Sequence, residues 1–498
     1  MLLPGGADLS IANGIREFAR ATPNAVAVID GDRRLSYAQL DDRSSRLATA
    51  LLAAGLRTGD RVALLLGNRL EYCEIAAGLA KAGLVMVPLN PRLTAPEIAF
   101  IAEHSGARAI IADETLEQLA PPLDHRLIVG DAYEALLARS DPRDPRIPVS
   151  EHSPFCVAYT SGTTGDPKGV QISHRSRVLT FYATALEWGL GPGRRGIAVA
   201  PMYHGAGFAF AYASVFCGGT VSMLRTFDPG AVLEMIARER AQSVFLVPTH
   251  AQLLRALTAE PAADADLSSL DTLYFNAAAL PRPLKEWVLD AFPGVGVHEL
   301  YGSTEAGVVT NLRPSHARGK AGSVGHPWFA TEVRIVGDDG EAVPPGVPGE
   351  LYSRSPFLMN GYYRNDAATA ACTTPDGFLT SGDVAIADDE GFISIVDRKK
   401  DMIITGGVNV YPRDVEEALV THPAVIEAAV VGEPDERWGE RIVAHVVCRA
   451  TVDPADLDAH LRPRLAGYKL PKAYRFPASL PRNAAGKVVK RQLRSPEP

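Results

Sequence analysis

Helical and strand-like hydrophobic periodicities alternate along the first part of the chain. Residues 36–55 and 71–83 have apolar positions at helical spacing, whereas 61–67 and 84–89 are short apolar runs. Helical spacing predicts amphipathic helices, and short apolar runs between turn residues predict buried strands. The rhythm returns with apolar runs between Ser243 and Leu300. It therefore predicts a layered α/β architecture of βαβ units.

The pattern changes twice in the second half of the chain. From Thr331 onward, period-2 segments broken by Gly and Pro predict a smaller, β-barrel-like part. After D-R-K-K-D, helix and strand patterns alternate over about 100 residues, a common size for one domain. We place the boundary at Lys399 to Asp401, which predicts a large domain over 1–399 and a small α+β domain over 400–498.

Composition narrows the classes of function. The 498 residues are 46% hydrophobic and 22% charged, with a net charge of −8 and no long basic run. This balance is typical of a globular protein and argues against a nucleic-acid partner. Five widely spaced cysteines indicate neither a disulfide framework nor a zinc site. We expect a cytoplasmic protein, since neither a secretion signal nor a transmembrane segment is recognisable.

The most informative motif is Y-T-S-G-T-T-G-D-P-K-G-V, from Tyr159 to Val170. Its glycines allow close backbone approach, and its hydroxyls, amides and lysine supply hydrogen-bond donors for a polyphosphate. No glycine directly precedes Lys168, and no Ser or Thr follows it, so the motif is not a Walker-type loop. It predicts a phosphate-binding loop of another kind.

Further motifs follow in order: Y-G-S-T-E-A-G from Tyr301, T-S-G-D ending at Asp383, and G-K at Lys487. With the phosphate loop, they make the sequence resemble the adenylate-forming superfamily over nearly its whole length. That superfamily comprises acyl-CoA synthetases, peptide-synthetase adenylation domains and firefly-type luciferases. The resemblance implies a large N-terminal domain, a small mobile C-terminal domain, and the substrates ATP, Mg²⁺ and coenzyme A.

The resemblance implies a role for each matching residue in nucleotide binding. Tyr301 would stack on adenine, Thr304 would contact phosphate, and Glu305 would hold Mg²⁺, a cation that prefers carboxylate oxygen. Asp383 would bind the ribose hydroxyls with help from Arg398. The pyrophosphate part of ATP would be held by Thr160, Ser161, Gly162, Thr163, Thr164, Gly165 and Lys168. Thr163 is a second predicted metal ligand, and Ala278 and Gly302 complete the predicted nucleotide site.

Lys487 is the predicted catalytic lysine. In relatives the equivalent lysine reaches the substrate carboxylate and the α-phosphate, where a cation stabilises the charge that accumulates during attack. The family's small domain then rotates to admit a thiol, and Lys400 occupies the hinge position. A bend absorbed by a few residues is physically reasonable.

The segment G-G-V-N-V-Y-P, from Gly406 to Pro412, resembles the acyl-CoA synthetase form and favours coenzyme A as the acceptor. Gly407, Trp438, Tyr468 and Lys472 match positions that meet coenzyme A in relatives.

The acyl pocket is the least defined part of the predicted site. His204 in P-M-Y-H-G matches a position beside the family's acyl pocket, where Phe208, Phe210 and Tyr212 line or support the pocket. The loop N-A-A-A-L, Asn276 to Leu280, departs from the usual Gly-Gly-Ala-Pro-Leu pattern and predicts a pocket of altered width. The absence of an obvious cation predicts an apolar monocarboxylate, fatty or carbocyclic.

Three alternatives stay open at this point. An adenylation enzyme could load a carrier-protein phosphopantetheine, and a non-catalytic protein could simply bind the adenylate. Luciferase-like oxidation is also compatible with the motifs. The residues of the coenzyme A face argue against the first alternative, and the retained Lys487 and Glu305 argue against the second.

Overall fold

The computed structural model describes residues 8–160, 167–257, 265–406, 408–482 and 488–494. The chain divides into two compact units. The first unit comprises 1–321, 327–332 and 353–379, and the second comprises 322–326, 333–352 and 380–498. Residues on both sides of Lys400 belong to the second unit, and the predicted domain boundary at that residue stays a prediction.

Helices and strands alternate through most of the described residues. The helices are α1 (Asn13–Ala21), α2 (Tyr37–Ala53), α3 (Glu71–Lys81), α4 (Ala95–Ser105), α5 (Asp131–Arg139), α6 (His174–Trp188), α7 (Gly205–Phe216), α8 (Pro229–Glu239), α9 (Pro248–Leu257), α10 (Arg282–Ala291), α11 (Asp366–Cys372), α12 (Pro412–Val420) and α13 (Pro454–Leu461). The strands are β1 (Val26–Asp30), β2 (Arg33–Ser36), β3 (Arg61–Leu65), β4 (Val85–Pro88), β5 (Ala107–Asp113), β6 (His125–Val129), β7 (Pro154–Thr160), β8 (Lys168–Ser173), β9 (Arg195–Ala198), β10 (Thr220–Met223), β11 (Ser243–Leu246), β12 (Thr272–Phe275), β13 (Gly296–Ser303), β14 (Gly307–Leu312), β15 (His326–Pro327), β16 (Glu332–Val336), β17 (Gly349–Arg354), β18 (Gly361–Tyr362), β19 (Leu379–Ala387), β20 (Ile393–Arg398), β21 (Ile403–Thr405), β22 (Val408–Val410), β23 (Val425–Asp435), β24 (Gly439–Cys448) and β25 (Ala473–Arg475).

Two largely parallel sheets form the first unit. In one sheet the neighbouring strands are β14-β13-β12-β11-β9-β10-β1-β2, and in the other they are β18-β8-β7-β4-β3-β5-β6. The central strands are buried, as expected where helices cover both faces of a parallel sheet. The predicted α/β class is confirmed. Ligands bind at the carboxyl ends of strands in such sheets, so the loops after β9, β12 and β13 are the first places to search for a site.

The helix signals in the sequence agree with the observed helix starts. Ser36 and Gln39 form a reciprocal capping box at the start of α2, and Thr94 and Glu97 do the same at α4. Gly106 then ends α4 in the left-handed conformation, with φ 62°.

Helix α3 differs from the amphipathic helix that its sequence predicts, because every one of its residues is buried. Its charged side chains are accommodated by partners on other elements. Arg43 lies 2.5 Å from the Glu74 carboxylate, and Tyr133 donates to the same carboxylate at 2.6 Å. Lys81 pairs with Asp41 at 2.6 Å. A buried charge is tolerated when it is paired and hydrogen-bonded.

The second unit contains two sheets. Strands β16, β17, β19 and β20 are neighbours in one sheet, and β22, β21, β24 and β23 are neighbours in the other, with β25 added to β24. Helices α12 and α13 pack on the second sheet around a core that includes Val415, Leu419, Val430 and Leu461. The predicted small α+β domain therefore has a core of its own.

Two elements of the second unit are shorter than the patterns that predict them, P-A-D-L-D-A-H-L-R-P-R-L for a helix and A-Y-R-F-P-A-S-L for a strand. Helix α13 ends at Leu461, close before Pro463, because proline has no N–H to continue the helical hydrogen bonds, although Arg462 keeps a helical conformation. Strand β25 ends at Arg475 although the apolar pattern continues, since Pro477 has no N–H to donate to a ladder. Within the described residues, no helix is long and apolar enough to cross a membrane.

Candidate active site

The two ends of the predicted phosphate loop are held together by strand pairing. Thr160 ends β7 and Lys168 begins β8, and the two residues are opposite each other in the antiparallel hairpin. The Thr160 hydroxyl lies 3.5 Å from the carbonyl oxygen of Lys168. The other predicted loop residues lie outside the described part of the chain: Ser161, Gly162, Thr163, Thr164 and Gly165.

The Y-G-S-T-E motif ends β13 and begins the turn that follows it, at the carboxyl edge of the sheet. A β-carbon on Gly302 would lie 2.0 Å from the Gly307 carbonyl oxygen, so the close approach of β13 and β14 requires glycine there. Tyr301 pairs with Thr310 just before this approach. Glycine is therefore needed at position 302 because the two backbones approach closely. The predicted contact of Gly302 with a nucleotide stays a prediction.

The turn also lies beside the loop that carries His204. A β-carbon on Gly205 would lie 4.0 Å from the Thr304 side chain, so the two loops are almost in contact. His204 precedes α7, and its N–H donates to the Pro201 carbonyl at 3.1 Å. Predicted acyl-pocket and phosphate-contact residues are thus brought together by the fold.

Glu305 is held at both its backbone and its side chain. The Tyr362 hydroxyl donates to Glu305 Oε1 at 2.9 Å, and the Met359 N–H donates to the Glu305 carbonyl at 2.8 Å. Lys168 Nζ lies 5.1 Å from the centre of the Tyr362 ring. One tyrosine therefore contacts both a predicted metal ligand and a predicted phosphate-binding lysine.

A thiol lies close to the same charges. Burial, and next the Glu305 carboxylate, raise the pKa of Cys372 above its ordinary value, while Lys168 acts in the opposite direction. Both charges therefore lie within electrostatic range of this half-buried residue. The chain's five cysteines are free thiols.

The predicted acyl-pocket stripe on α7 is buried and divides between two aromatic groups. Phe208 stacks on Tyr212 and Phe155, with ring centres 4.9 and 5.9 Å away. Phe210 packs on Phe245 and Tyr274, at 4.7 and 5.2 Å. Phe208 packs within α7 and on β7, whereas Phe210 joins aromatic residues of β11 and β12, and the place of these residues beside an acyl pocket stays a prediction.

Asn68 braces the loop that precedes His204. Its amide nitrogen lies 3.0 Å from the Ala198 carbonyl and 3.2 Å from the Leu224 carbonyl, and its oxygen accepts from the Met202 N–H at 2.8 Å. The side chain is 6% exposed, so its hydrogen bonds are sheltered from water. Asn68 thereby ties the ends of β9 and β10 to the loop.

The loop after β12 has an unusual backbone. Ala277 adopts φ 74°, a conformation that favours glycine, and its N–H bonds to the Asn276 side chain. The predicted nucleotide-binding Ala278 is exposed next to it. Leu280 N–H donates to Glu299 Oε1 at 3.2 Å. The alanine at 277 thus strains the turn while the end of the loop is fixed to β13.

In the second unit, the two residues predicted to bind ribose are paired with each other. Asp383 of β19 is opposite Arg398 of β20, and Arg398 Nε lies 2.7 Å from Asp383 Oδ1. The carboxylate is 5% exposed. Lys400 follows in a single 3₁₀ turn, Lys399–Asp401, where burial lowers its pKa. The arginine orients the carboxylate, and the predicted hinge comes directly after the arginine's strand.

The predicted coenzyme A face includes exposed aromatic residues. Trp438 is 39% exposed and Tyr468 is 47% exposed, unusual for such large side chains. Lys472 is also exposed. The Gly406 N–H donates to the Trp438 carbonyl at 2.8 Å, and the guanidinium of Arg437 lies 4.8 Å from the indole centre. Gly407 lies outside the described residues.

Lys487 also lies outside the described residues, but both flanks of its segment are described. Arg482 and Val488 form an antiparallel bridge, and the Val489 N–H donates to the Pro481 carbonyl at 2.8 Å. Lys490 pairs with Glu416 of α12 at 2.8 Å. The described residues on the two sides of Lys487 are therefore paired with each other, and Lys490 ties them to α12.

Sequence reasoning missed three of these residues: Tyr362, Asn68 and Lys490. The sequence offers one signal for two of them: Tyr362 directly follows Gly361, and Lys490 lies four residues after Gly486. Their partners are far away in sequence, so the contacts become visible only in the folded chain.

The donor set fits Mg²⁺ held together with a nucleotide. Among the residues that the structure describes, no group of three or more His, Cys, Asp or Glu side chains could hold a metal ion by itself. Mg²⁺ commonly takes one or two carboxylates and completes its shell with water and substrate phosphates. Glu305 accepts from Tyr362 through one oxygen, which leaves the second oxygen for such an ion.

The chain matches one protein family over most of its length. Residues 15–363 match the AMP-binding enzyme family, and residues 414–487 match the AMP-binding enzyme C-terminal domain. The chain belongs to the AMP-binding enzymes. The adenylate-forming superfamily that the motifs predicted is thereby confirmed.

Individual relatives agree with this assignment. The chain is 42% identical over 483 residues to a feruloyl-CoA synthase of an Amycolatopsis species, with 96% of each protein covered. It is 36% identical over 497 residues to the fatty acid–[acyl-carrier-protein] ligase ScoC of Streptomyces coeruleorubidus, covering 96% of this chain and 94% of that protein.

Solved structures extend the agreement to the fold. The o-succinylbenzoate CoA synthetase of Bacillus subtilis, solved with its acyl-adenylate intermediate, is 30% identical with a TM-score of 0.89. The match covers 97% of this chain and 98% of that one. The same enzyme was solved with ATP and a magnesium ion. The relatives confirm the predicted class, an AMP-forming acid–thiol ligase.

Proposed function

We propose that this protein joins a carboxylic acid to coenzyme A in two steps, through an acyl-adenylate. The single observation that carries the proposal is the contact of Tyr362 with both Glu305 and Lys168, at 2.9 and 5.1 Å. A carboxylate and an ammonium that contact one tyrosine separately can divide the work of binding a metal–polyphosphate complex. The carboxylate would bind the metal ion, and the ammonium would bind the phosphate oxygens.

The first step needs positioning more than covalent catalysis. A carboxylate oxygen of the acid attacks the α-phosphorus of ATP, an O–P bond forms, and the bond to pyrophosphate breaks. Lys168 would compensate charge on the phosphates, and Lys487 would stabilise the attacking carboxylate and α-phosphate. Mg²⁺ bound at Glu305 would supply further charge compensation on the polyphosphate.

In the second step, the acyl group passes from AMP to coenzyme A. The thiolate of coenzyme A attacks the carbonyl carbon of the mixed anhydride, a thioester forms, and AMP leaves. The exposed surfaces of Trp438 and Tyr468 support contact with the pantetheine arm, and Lys472 supports contact with the phosphates of coenzyme A. None of these three residues is needed for the first step.

We propose an aromatic or aryl-alkenyl monocarboxylate as the acid. Phe210 of α7 packs on Phe245 and Tyr274, each one residue before the end of its strand, β11 or β12, which supports an acid with a flat ring near the loops that follow. A feruloyl-CoA synthase is among the relatives. The fatty acids expected from the sequence remain competitors in the test, because ScoC, another relative, is a fatty acid ligase.

A panel of acids tests both the reaction and the acceptor. Purified protein is incubated with ATP, Mg²⁺ and each acid, and pyrophosphate release is measured with and without coenzyme A. We expect release and a thioester product, identified by mass, for cinnamate-like acids. Pyrophosphate release without a thioester would identify a carrier protein as the acceptor, as in ScoC. No release with any acid would contradict the proposal.

Substitution of the predicted catalytic lysine separates the two steps. We expect Lys487→Ala to lower the adenylation rate about 10²–10³-fold, the effect of removing one charge-stabilising donor. Transfer from a preformed acyl-adenylate should be largely retained. Arg491→Ala, which removes an exposed cation from the same segment, is the control. Equal loss in both steps would contradict the division of roles.

We further propose that residues 400–498 move as a domain about Lys400. Proline fixes φ, so Lys400→Pro should hinder the bend. Adenylation should then continue while thioester formation falls, which rapid-quench analysis of the two half-reactions would measure.

We also propose a cytoplasmic location, as expected from the sequence. Cell fractionation would test it.

A further inference from the structure

Tyr362 contacts two side chains of opposite charge, Glu305 and Lys168, through different parts of its own side chain. Its hydroxyl donates to Glu305 Oε1 at 2.9 Å, and its ring centre lies 5.1 Å from Lys168 Nζ. A carboxylate accepts strongly from a phenol, and an ammonium is attracted to the face of an aromatic ring. The residue therefore offers a separate favourable contact to each charge.

Backbone pairing fixes where the tyrosine lies. In the antiparallel pair of β18 and β8, Tyr362 is opposite Val170. Successive strand residues point to opposite faces, so Lys168 and Val170 share a face, and a cross-strand neighbour of Val170 shares it too. The ring is consequently a diagonal neighbour of the lysine side chain.

Further hydrogen bonds lock the segment from Met359 to Tyr363. The Asn360 N–H donates to the Gln171 carbonyl at 2.8 Å, and the Tyr363 N–H donates to the Gly169 carbonyl at 2.7 Å. At its other end, the Met359 N–H donates to the Glu305 carbonyl. The segment thus connects β8 to the residue that follows the Y-G-S-T turn.

Gly361 makes this path possible. It adopts φ 126°, and a β-carbon there would lie 3.1 Å from Thr369, whose hydroxyl accepts from the Tyr362 N–H. A larger residue would be strained in this conformation and would push against the helix that fixes Tyr362. The backbone conformation at Gly361 therefore helps to fix the position of Tyr362.

We propose that Tyr362 is a positioning residue for nucleotide activation. It holds one oxygen of Glu305, directs the other toward Mg²⁺, and keeps Lys168 available for phosphate instead of collapsing into an ion pair with Glu305. This inference rests on the proposed function, because it assigns the metal and the phosphates to the ATP complex.

Two variants separate the hydroxyl from the ring. Tyr362→Phe removes the bond to Glu305 and keeps the aromatic face for Lys168, whereas Tyr362→Leu removes both. Tyr363→Phe is the matched control, a hydroxyl deletion at the neighbouring tyrosine, whose ring packs on His104 and Arg364. Thermal unfolding of all three variants checks that the fold is retained.

The readout is binding rather than turnover. Calorimetry with α,β-methylene-ATP, which cannot release pyrophosphate, is done at increasing Mg²⁺, and Mn²⁺ binding is followed by electron paramagnetic resonance. For Tyr362→Phe we expect metal affinity in the nucleotide complex to fall about tenfold, with metal-free nucleotide affinity unchanged. Tyr362→Leu should also weaken metal-free nucleotide binding, and Tyr363→Phe should match the natural protein.

The outcomes distinguish this inference from the proposed function. Metal affinity in Tyr362→Phe equal to that of the natural protein would overturn the positioning role while leaving the ligase proposal intact. Failure of the natural protein to bind the nucleotide with either metal would overturn the ligase proposal itself. An equal loss of metal-free and metal-dependent binding in Tyr362→Phe would also contradict the positioning role, because a general structural defect predicts that pattern.

Discussion

Both compact units contain a lysine–carboxylate pair next to a segment with a proposed function. In the first unit, Lys285 of α10 pairs with Glu299 of β13, two residues before Tyr301. In the second, Lys490 pairs with Glu416 of α12, three residues after Lys487. The first pair joins a helix to the strand that follows it along the chain, whereas the second joins the C-terminal segment to a helix distant in sequence.

The two pairs differ in their access to water. The side chains of Lys285 and Glu299 are 2% and 6% exposed, and those of Lys490 and Glu416 are 17% and 19% exposed. A fully buried charge that loses its partner cannot be rescued by solvent, but a partly exposed one can. The comparison teaches that the first pair serves mainly stability, whereas the second serves mainly the placement of its segment.

The electrostatic surroundings of the second pair support this division. Burial alone would lower the pKa of Lys490, but the charges of Glu416 and Asp397 overcome burial and raise it. Burial raises the pKa of Glu416, with Lys490 opposing the shift. The lysine is therefore held charged by two carboxylates, which tether the segment.

The strongest test of the comparison is Lys285→Met. It leaves the Glu299 carboxylate buried without its cation, so we expect the first unit to lose about 3–5 kcal/mol of unfolding free energy. Urea unfolding followed by tryptophan fluorescence in a Trp438→Phe background reports on this unit, since the remaining tryptophans lie there. An unchanged midpoint would contradict the stabilising role. Lys285→Met combined with Glu299→Gln should recover much of the loss.

Lys490→Met tests the other half of the comparison. We expect a smaller loss in the second unit, about 2 kcal/mol, because water reaches the remaining carboxylate. Adenylation should fall about tenfold, since the segment that carries Lys487 loses its tether. Amide exchange in β23 and β24 measures stability, and pyrophosphate release measures function. Lys490→Arg should retain both. A large loss of stability with unchanged adenylation would reverse the proposed division.

Lowering the pH should destabilise the first unit through His174 and stabilise the second unit through Asp397 and Glu416. Burial lowers the pKa of His174 in the first unit to about 4, with Arg16 adding to the shift. The folded state therefore keeps this histidine neutral, and stability falls as pH drops from about 6.5 toward 4 because the unfolded chain takes up the proton first. Between pH 7 and 5 we expect a loss of about 2 kcal/mol from this group.

The same experiment has an internal control. His174→Gln should flatten the pH dependence of the first unit's urea midpoint over this range, and an unchanged slope would contradict the assignment. Asp397 and Glu416 in the second unit act in the opposite direction. Their pKa values are raised in the folded state, so the folded chain takes up these protons before the unfolded chain does. These two groups therefore stabilise the second unit as pH falls.

The smallest expected effect is at Ala277. Its φ of 74° suits glycine, so Ala277→Gly should stabilise the first unit by about 1 kcal/mol. The same fluorescence-detected urea midpoint measures this gain. Selectivity among acids should change as well if the extra methyl shapes the pocket, which the acid panel would detect. A loss of stability would indicate that the turn has adapted to alanine.

The sequence predicted the layered fold well because each element has a local signal. The Ser36 and Thr94 capping boxes begin helices where the hydrophobic pattern requires them, and buried strands such as β3 and β4 are short apolar runs. Burial was predicted less well for α3, because the partners of Glu74 and Lys81 are on other elements. Local pattern does not show which charges will be paired after folding.

The candidate site was predicted as a set of motifs but not as a set of contacts. Lys168, Thr304 and Glu305 were found from their motifs, and the fold brings the loops of Thr304 and His204 together. Tyr362 was missed because its pairing with β8 spans much of the chain, and no single-sequence pattern records such pairing. Asp383 and Arg398 were predicted to meet the same ribose, but their ion pair depends on the register of β19 and β20, which no local pattern records.

The edge strand that carries Tyr362 has a consequence for protein synthesis. The first unit uses residues up to 321 and then takes in 353–379, while the intervening and following residues belong mainly to the second unit. Domains fold as they leave the ribosome, N-terminal parts first. A nascent chain that stops short of Gly361 would therefore lack Tyr362 beside Lys168 and Glu305, and activation of an acid should have to wait until that strand has been synthesised.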